Sequence, residues 1–222
     1  MRAAVIVFPG SNCDRDLAVA FRAAGFDTQM VWHKDQALPD GIDLVGVPGG
    51  FSYGDYLRCG AIAAQSLVMR AVAHHAEGGG YVLGICNGFQ VLCETRLLPG
   101  ALMRNAGLKF VCKMQRLRVE TADSAFTAGY AQGQEVMFPI AHHDGNYVAD
   151  PATLAALRAE DRIAFAYLGN PNGAMHDIAG ILSPNRRVLG LMPHPERVVD
   201  TVQGGTDGAA MFQSLAQGLV AA

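Results

Sequence analysis

Charge is what this chain has least of. Only 17% of its 222 residues are Asp, Glu, Lys or Arg, against about 25% in an ordinary soluble domain. The charges nearly cancel, at net −3, so no basic field attracts nucleic acid or an anionic membrane surface. No apolar run approaches the roughly 20 residues needed to span a bilayer. The first such run, Ala3 to Phe8, is too short for the hydrophobic stretch of a signal peptide, and a cytoplasmic location is expected. Cysteine is scarce: Cys13, Cys59, Cys86, Cys93 and Cys112 make an odd set of five, which does not read as a disulfide framework. No Cys-x-x-Cys pair and no His-rich cluster has zinc-ligand spacing, so no metal is expected. Low charge beside 50% hydrophobic residues leaves two explanations. Either the core is generous, or another chain covers part of the surface.

Repeats, low-complexity tracts and linkers are also missing, and residues 1–222 read as one domain. What is present is a rhythm. Ala3 to Phe8 is a short β-branched run that stops at Pro9-Gly10, as a strand buried on both faces does. Ser11 or Asn12 is placed to cap a helix carrying Leu17, Phe21 and Ala24 on one face and ending at Gly25. Strands are expected over Phe26 to Trp32 and Ile42 to Val47. One helix is expected through Ile62, Gln65, Val68, Met69 and Val72. Strand Tyr81 to Ile85 and helix Asn87 to Thr95 follow. This alternation predicts an α/β fold, an open and mostly parallel sheet with helices on both faces. After Leu98-Pro99-Gly100 the helices thin out. Lys109 to Glu120, Val136 to Ala141, Ile163 to Leu168, Ile178 to Leu182 and Val188 to Met192 are expected to build an antiparallel extension. A last helix, Gly208 to Ala222, should dock through Phe212, Leu215 and Leu219.

The strongest local signal is Gly84-Ile85-Cys86-Asn87-Gly88, where a buried strand turns into a helix. This is the cysteine form of the nucleophile elbow, a tight turn that presents the reactive atom at the strand's C-terminal end. Gly84 and Gly88 remove Cβ atoms where the turn crowds its neighbours. The following helix N-terminus favours a thiolate, and the N–H of Asn87 faces the space where an oxyanion would form. The competing reading, a buried structural thiol, is preferred for Cys13, Cys59, Cys93 and Cys112. For Cys86 the glycines and the strand-to-helix switch favour a nucleophile.

A cysteine nucleophile needs an imidazole and a group to orient it. Pro193-His194-Pro195-Glu196 fixes the backbone on both sides of one imidazole, and Glu196 projects on the same side as His194 in an extended stretch. A Cys86–His194–Glu196 triad is therefore expected, against the alternative of a proline-rich surface turn. Pro48-Gly49-Gly50-Phe51-Ser52-Tyr53-Gly54-Asp55 follows a strand but ends in neither a P-loop Lys-Ser/Thr nor a G-x-G-x-x-G. It suits a backbone donor to an oxyanion. Asp55 and Arg58 read equally as a loop ion pair or as interface contacts.

Taken together, the Gly-Ile-Cys-Asn-Gly-Phe-Gln elbow, the Pro-Gly-Gly turn and Pro193-His194-Pro195-Glu196-Arg197 resemble the class I, triad-type glutamine amidotransferases, with their flavodoxin-like fold. Longer strings narrow this. Pro48 through Ala63, Met192 to Arg197, Asn170-Pro171-Asn172-Gly173 and Leu108 to Cys112 are similar to the stand-alone glutaminase subunits of phosphoribosylformylglycinamidine synthase. The resemblance covers nearly the whole chain. It implies that Cys86 attacks the side-chain amide of glutamine, His194 moves the protons and Glu196 orients His194. It also places the N–H groups of Gly50 and Asn87 in an oxyanion hole and Gln90 near the cleaved amide. A γ-glutamyl thioester forms, ammonia leaves, and water releases glutamate.

The resemblance further implies a separate PurL-like synthetase subunit and a small PurS-like accessory subunit. The synthetase uses ATP, with Mg, on formylglycinamide ribonucleotide in the fourth step of purine biosynthesis. No ATP motif occurs here, so no cofactor is expected in this chain. In the stretch Pro139 to Tyr147, His143-Asp144 and Asn146 stand where the family pattern has Gly-Glu and Arg; His142 reads either as a site-lining residue or as a structural one. Two other readings remain: a free-standing cysteine hydrolase of γ-glutamyl compounds, fully active alone, and a non-catalytic binding module on the same fold.

Overall fold

A computed structural model of the chain describes residues 1–55 and 58–221. Tyr56 and Leu57, inside the Pro48-to-Ala63 string, and Ala222, at the expected end of the last helix, lie outside the described residues. The first half runs β1 (Arg2–Val7), α1 (Asp14–Ala23), β2 (Asp27–Trp32), β3 (Leu44–Val47), α2 (Cys59–Ala64), α3 (Leu67–Glu77), β4 (Tyr81–Ile85) and α4 (Asn87–Glu94). The second half runs β5 (Ala101–Met103), β6 (Val111–Val119), β7 (Glu135–His142), β8 (Asn146–Val148), α5 (Pro151–Ala159), β9 (Ile163–Tyr167), β10 (Ile178–Leu182), β11 (Val188–Leu191) and α6 (Ala209–Ala221).

One nine-stranded sheet in the order β2-β1-β3-β4-β11-β10-β9-β6-β7 organises the chain. The pairs from β2 to β11 are parallel and those from β11 to β7 antiparallel. The expected α/β architecture with an antiparallel extension is the one observed. Helices cover both faces, and the glycines show how closely. A Cβ at Gly46 on β3 would strike Leu17 and Phe21 of α1, while a Cβ at Gly84 on β4 would strike Leu92 of α4. Gly84 pairs with Val47, the residue after Gly46. Successive strand residues face opposite sides, so α1 and α4 lie on opposite faces. On the α1 face, α6 follows, with Phe21 and Phe212 packed edge to face at 5.9 Å.

Several local expectations are corrected. Neither Ser11 nor Asn12 caps α1. The N-cap is Cys13, without a side-chain cap bond, because Ser11 Oγ donates instead to the Gly49 carbonyl at 2.9 Å and Asn12 Oδ1 accepts from the Cys13 thiol at 3.3 Å. Ser11, which could have capped the helix, ties its start to the Pro-Gly-Gly loop instead. The single helix expected through Ile62 and Val72 is two helices, broken where Ser66 is extended (φ −64°, ψ 152°). The break lets α3 bury Val68, Met69 and Val72, while α2 leaves Ile62 exposed and lies flush on α4. A Cβ at Gly60 would stand 3.0 Å from Gln90.

Helix α5 and the β5–β8 pair were not anticipated. The signal for α5 was present: Asp150 before Pro151 is an N-cap followed by Pro at the first helical position. The correction that matters most concerns β11. Expected within the antiparallel extension, it lies parallel to β4 as the fifth strand of the parallel half, with Leu191 beside Ile85. That insertion brings the segment after β11 to the nucleophile elbow. Among the described residues, no helix is long and apolar enough to cross a membrane.

Candidate active site

Cys86 sits between β4 and α4 with φ 52° and ψ −107°. A non-glycine residue held at such dihedrals stores roughly 1–3 kcal/mol of backbone strain and persists only where the surroundings enforce it. Here they do. The Cys86 N–H donates to the Leu191 carbonyl at 2.8 Å, and its own carbonyl accepts from the Gln90 N–H at 3.2 Å. Gly88 is obligatory, since an added Cβ would lie 1.9 Å from the Val47 carbonyl oxygen. The elbow is therefore clamped between β3 and β11, with Cys86 5% exposed.

Three residues past β11 comes His194. Its N–H is fixed to the Pro139 carbonyl of β7 at 2.9 Å, and its Nδ1 lies 2.7 Å from Glu196 Oε1. Both side chains are about 1% exposed. Burial pulls the His194 pKa down, but the Glu196 carboxylate and then Cys86 outweigh it and hold it well above its ordinary 6.5. The imidazole is thus kept as imidazolium by the buried carboxylate. His194 Nε2, the ring nitrogen left over, has no hydrogen-bond partner. A single Cβ at Gly49 would touch both His194 Cε1 (2.8 Å) and Cys86 Cβ (3.1 Å). The Cys86 thiol faces the Ala141 carbonyl oxygen at 3.9 Å. Cys86, His194 and Glu196 are therefore brought together.

Gly50 (φ 99°) and Asn87 flank the same space. Neither N–H meets an acceptor among the described residues, as is usual for the first N–H groups of a helix such as α4. The Asn87 side chain is fully used. Its Oδ1 accepts from the Ser52 N–H at 2.9 Å, and its Nδ2 donates to Gln90 Oε1 at 2.8 Å and Asp55 Oδ1 at 3.1 Å. Gln90 is equally committed, donating through Nε2 to the Asp144 carbonyl at 2.8 Å while its Oε1 also lies 3.3 Å from Cys59 Sγ. The structure thus places Gln90 at the cavity wall with its amide spent on the protein. Asp55 and Arg58 are not an ion pair: Asp55 holds Asn87, and Arg58 pairs with Glu94.

These groups line a cavity of about 130 Å³, room for about four waters. Its wall also contains Asn12, Cys13, Phe51, Phe110, Cys112 and Arg197, none of which the sequence singled out as site residues. His142 lines it too. Its Nδ1 lies 3.1 Å from Asn105 Oδ1, and burial, then neighbouring His194, pulls its pKa down to about 4, so it is neutral at neutral pH. Asp144, atypical in the family pattern, turns its carboxylate outward to Arg104 and supplies only its carbonyl to Gln90. Arg197 donates to Asp16 and to Cys13 Sγ, both at 3.0 Å.

With this geometry in place, comparison with known proteins is direct. Residues 1–213 match the CobB/CobQ-like glutamine amidotransferase domain. The chain is 73% identical, over 219 residues and 99% of both chains, to the phosphoribosylformylglycinamidine synthase subunit PurQ of Cereibacter sphaeroides. It is 70% identical to the subunit of the same name from Jannaschia sp., over the whole of each chain. Among solved structures it resembles a chain of PurLQS from Thermotoga maritima, with TM-score 0.90, 44% identity and 98% of each chain covered.

Proposed function

This chain belongs to the CobB/CobQ-like glutamine amidotransferase family, and we propose that it is the glutaminase subunit of phosphoribosylformylglycinamidine synthase. It hydrolyses glutamine and hands ammonia to a synthetase subunit that makes formylglycinamidine ribonucleotide with ATP. One observation carries the chemical reading. The strained Cys86 and the buried His194–Glu196 pair stand at the C-terminal ends of adjacent parallel strands and open on one cavity. Ligand sites of open α/β sheets lie at those strand ends.

The steps follow from the groups present. With its proton held on His194, whose imidazolium Glu196 stabilises through Nδ1, Cys86 reacts as the thiolate. The thiolate attacks the glutamine side-chain carbonyl carbon, and the N–H groups of Gly50 and Asn87 take up the charge developing on its oxygen. His194 returns the proton to the leaving nitrogen, the C–N bond breaks, and ammonia departs from a γ-glutamyl thioester. Water, giving a proton to His194, then adds to the thioester carbonyl carbon, the C–S bond breaks, and glutamate leaves with the thiolate–imidazolium pair restored. Gln90 acts as a positioning residue, holding Asn87 and the Asp144 carbonyl at the wall.

The partner explains the scarcity of charge. Phe51 and Phe110, 45% and 47% exposed, stack at 6.4 Å with an 18° interplanar angle at the cavity wall. Met114 and Leu108 are exposed nearby in sequence on and before β6. An apolar rim of this kind suits a surface that a second subunit covers. ATP and Mg belong to that synthetase, and a small accessory subunit completes the assembly. A cytoplasmic location and a single domain over residues 1–222 go with this reading.

The test is chemical. Diazo-oxo-norleucine, an electrophilic glutamine analogue, should alkylate Cys86 alone in the assembled complex, one adduct per chain by peptide mass spectrometry. Labelling at another cysteine, or none, defeats the nucleophile assignment and favours the non-catalytic module. A second expectation concerns spacing. Gly49→Ala puts a methyl between His194 and Cys86, and misplacing reacting groups by about 1 Å can cost roughly 10²-fold in rate. The kcat for glutamine hydrolysis should fall by about that factor with ammonia-dependent synthesis kept; a change under threefold shows that the two side chains do not need to meet.

A further inference from the structure

Three consecutive residues beside the cavity are held in left-handed backbone. Tyr53, Gly54 and Asp55 stand at φ 53°, 75° and 56°, and two of the three carry a Cβ. Such backbone at non-glycine residues persists only where the surroundings over-determine it, and it gathers at functional sites. The surroundings here are specific. The Tyr53 N–H donates to the Pro9 carbonyl at 2.6 Å and the Gly54 N–H to the Phe51 carbonyl at 2.8 Å. Both ends of the turn hold the Asn87 side chain. The Ser52 N–H donates to its Oδ1 at 2.9 Å, and Asp55 Oδ1 accepts from its Nδ2 at 3.1 Å. The Ser52 N–H also meets the Gly50 carbonyl at 2.8 Å. The turn therefore grips both residues whose own N–H groups flank the cavity.

The middle of the turn is tied elsewhere. Tyr53 Oη is hydrogen-bonded to His33 Nδ1 at 2.9 Å, with the two rings edge to face at 5.8 Å. His33 directly follows β2, and its N–H is fixed to the Val7 carbonyl at the end of β1 at 3.0 Å. Trp32 packs edge-on against the His33 ring at 4.6 Å, and Phe8 lies 6.2 Å from the Tyr53 ring. Neither His33 nor Tyr53 is among the residues that line the cavity.

We propose that His33 and Tyr53 are positioning residues for glutamine hydrolysis. Their hydrogen bond anchors the strained turn to the edge of the sheet, and the turn holds Gly50 and Asn87 in place as oxyanion donors. The inference rests on the glutaminase reading given above. Oxyanion donors are effective because they are fixed before charge develops. A turn freed from its anchor relaxes out of the left-handed region and takes Ser52 and Asp55, and with them Asn87, along. Losing one donor outright costs roughly 10²–10³ in rate. Loosening a pair of donors costs less, about tenfold.

Tyr53→Phe removes one hydroxyl and keeps the ring, and His33→Ala removes its partner. In the assembled complex each should lower kcat for glutamine hydrolysis about tenfold with KM within about twofold, because the oxyanion exists only beyond the ground state. The double variant should be no slower than His33→Ala, since both changes break one bond. Synthesis from free ammonium should continue at the parent rate. Iodoacetamide alkylation of Cys86 in the full-length chain, followed by peptide mass spectrometry, needs the thiolate but no oxyanion donor, and should also keep the parent rate. A kcat within threefold of the parent in Tyr53→Phe overturns the proposal. So does a loss carried by KM, a hundredfold loss in the double variant, or a matching slowdown of alkylation, which places the damage at the triad. A parent complex that hydrolyses no glutamine overturns the glutaminase reading and this inference with it, whereas equal rates in an active parent and its variants overturn this inference alone.

Discussion

Replacing Cys86 with alanine removes glutamine-dependent synthesis by the reconstituted complex while synthesis from free ammonium continues. The size of the loss follows from the role. A triad nucleophile has no substitute once its attacking atom is gone, and in serine enzymes its removal costs roughly 10⁶ in kcat. A fall of about 10⁵ or more in glutamine-dependent turnover is expected here. Ammonium enters downstream of the thioester, so it bypasses the lesion. Fold damage does not mimic this split. Cys86→Ala deletes one sulfur from a position whose backbone is held by Leu191 and Gln90, and its strained φ of 52° costs alanine about what it costs cysteine. Loss of both activities would place Cys86 in the framework of the complex. Retention of glutamine turnover would show that Cys86 is not the nucleophile.

Changing Glu196 to glutamine should cost about 10⁴ in kcat, by analogy with the same carboxylate-to-amide exchange in the serine triad. The geometry survives, because the amide occupies the same space beside Nδ1. What disappears is the charge that most strongly opposes burial at His194. The His194 pKa should then drop steeply, and the imidazolium needed to partner the thiolate is no longer stable at neutral pH.

The same substitution has a stability signature with a definite sign. The folded-state pKa of His194 lies above its unfolded value of 6.5. Its contribution to stability is therefore fully present below pH 6.5 and is lost as pH rises through the folded value. The Tm difference between the parent protein and Glu196→Gln should be largest below pH 6.5 and shrink as pH rises through the folded pKa of His194. A constant difference would mean that Glu196 acts through packing alone, and activity within tenfold of the parent would remove it from the catalytic unit.

Much of this site was legible because its chemistry is local in sequence. Gly84-Ile85-Cys86-Asn87-Gly88 needs only five consecutive residues to declare a crowded strand-to-helix turn, and the Val47 carbonyl standing 1.9 Å from a Cβ at Gly88 is the crowding that the glycine relieves. Pro193-His194-Pro195-Glu196 is local in the same way, although the structure winds Pro195–Arg197 into a short 3-10 turn where an extended stretch was expected, and it is that turn that sets the carboxylate beside Nδ1. The family resemblance placed Gln90 near the cleaved amide, but the bonds its own amide makes were not legible, because its partners Cys59 and Asp144 come from distant segments. Expectations failed where two local solutions compete. Ser11 and Asn12 have the chemistry of helix caps, and the Pro-Gly-Gly loop outbid the helix for Ser11. Strand β11 has no local mark that distinguishes parallel from antiparallel neighbours.

By itself, then, the amino-acid sequence determined the α/β alternation, the identity of the nucleophile candidate, its base and orienting carboxylate, and the absence of a nucleotide loop. These follow from backbone sterics and side-chain chemistry within a few residues. The tertiary structure alone decided that β11 inserts beside β4, which brings His194 to Cys86 across more than a hundred residues of chain. It alone seated Cys13 against the His194–Glu196 pair, and it set Phe51 on Phe110 at the cavity wall. Strand pairing and cavity walls are settled by which distant surfaces bury one another best, and that competition leaves no signature in any short stretch of sequence.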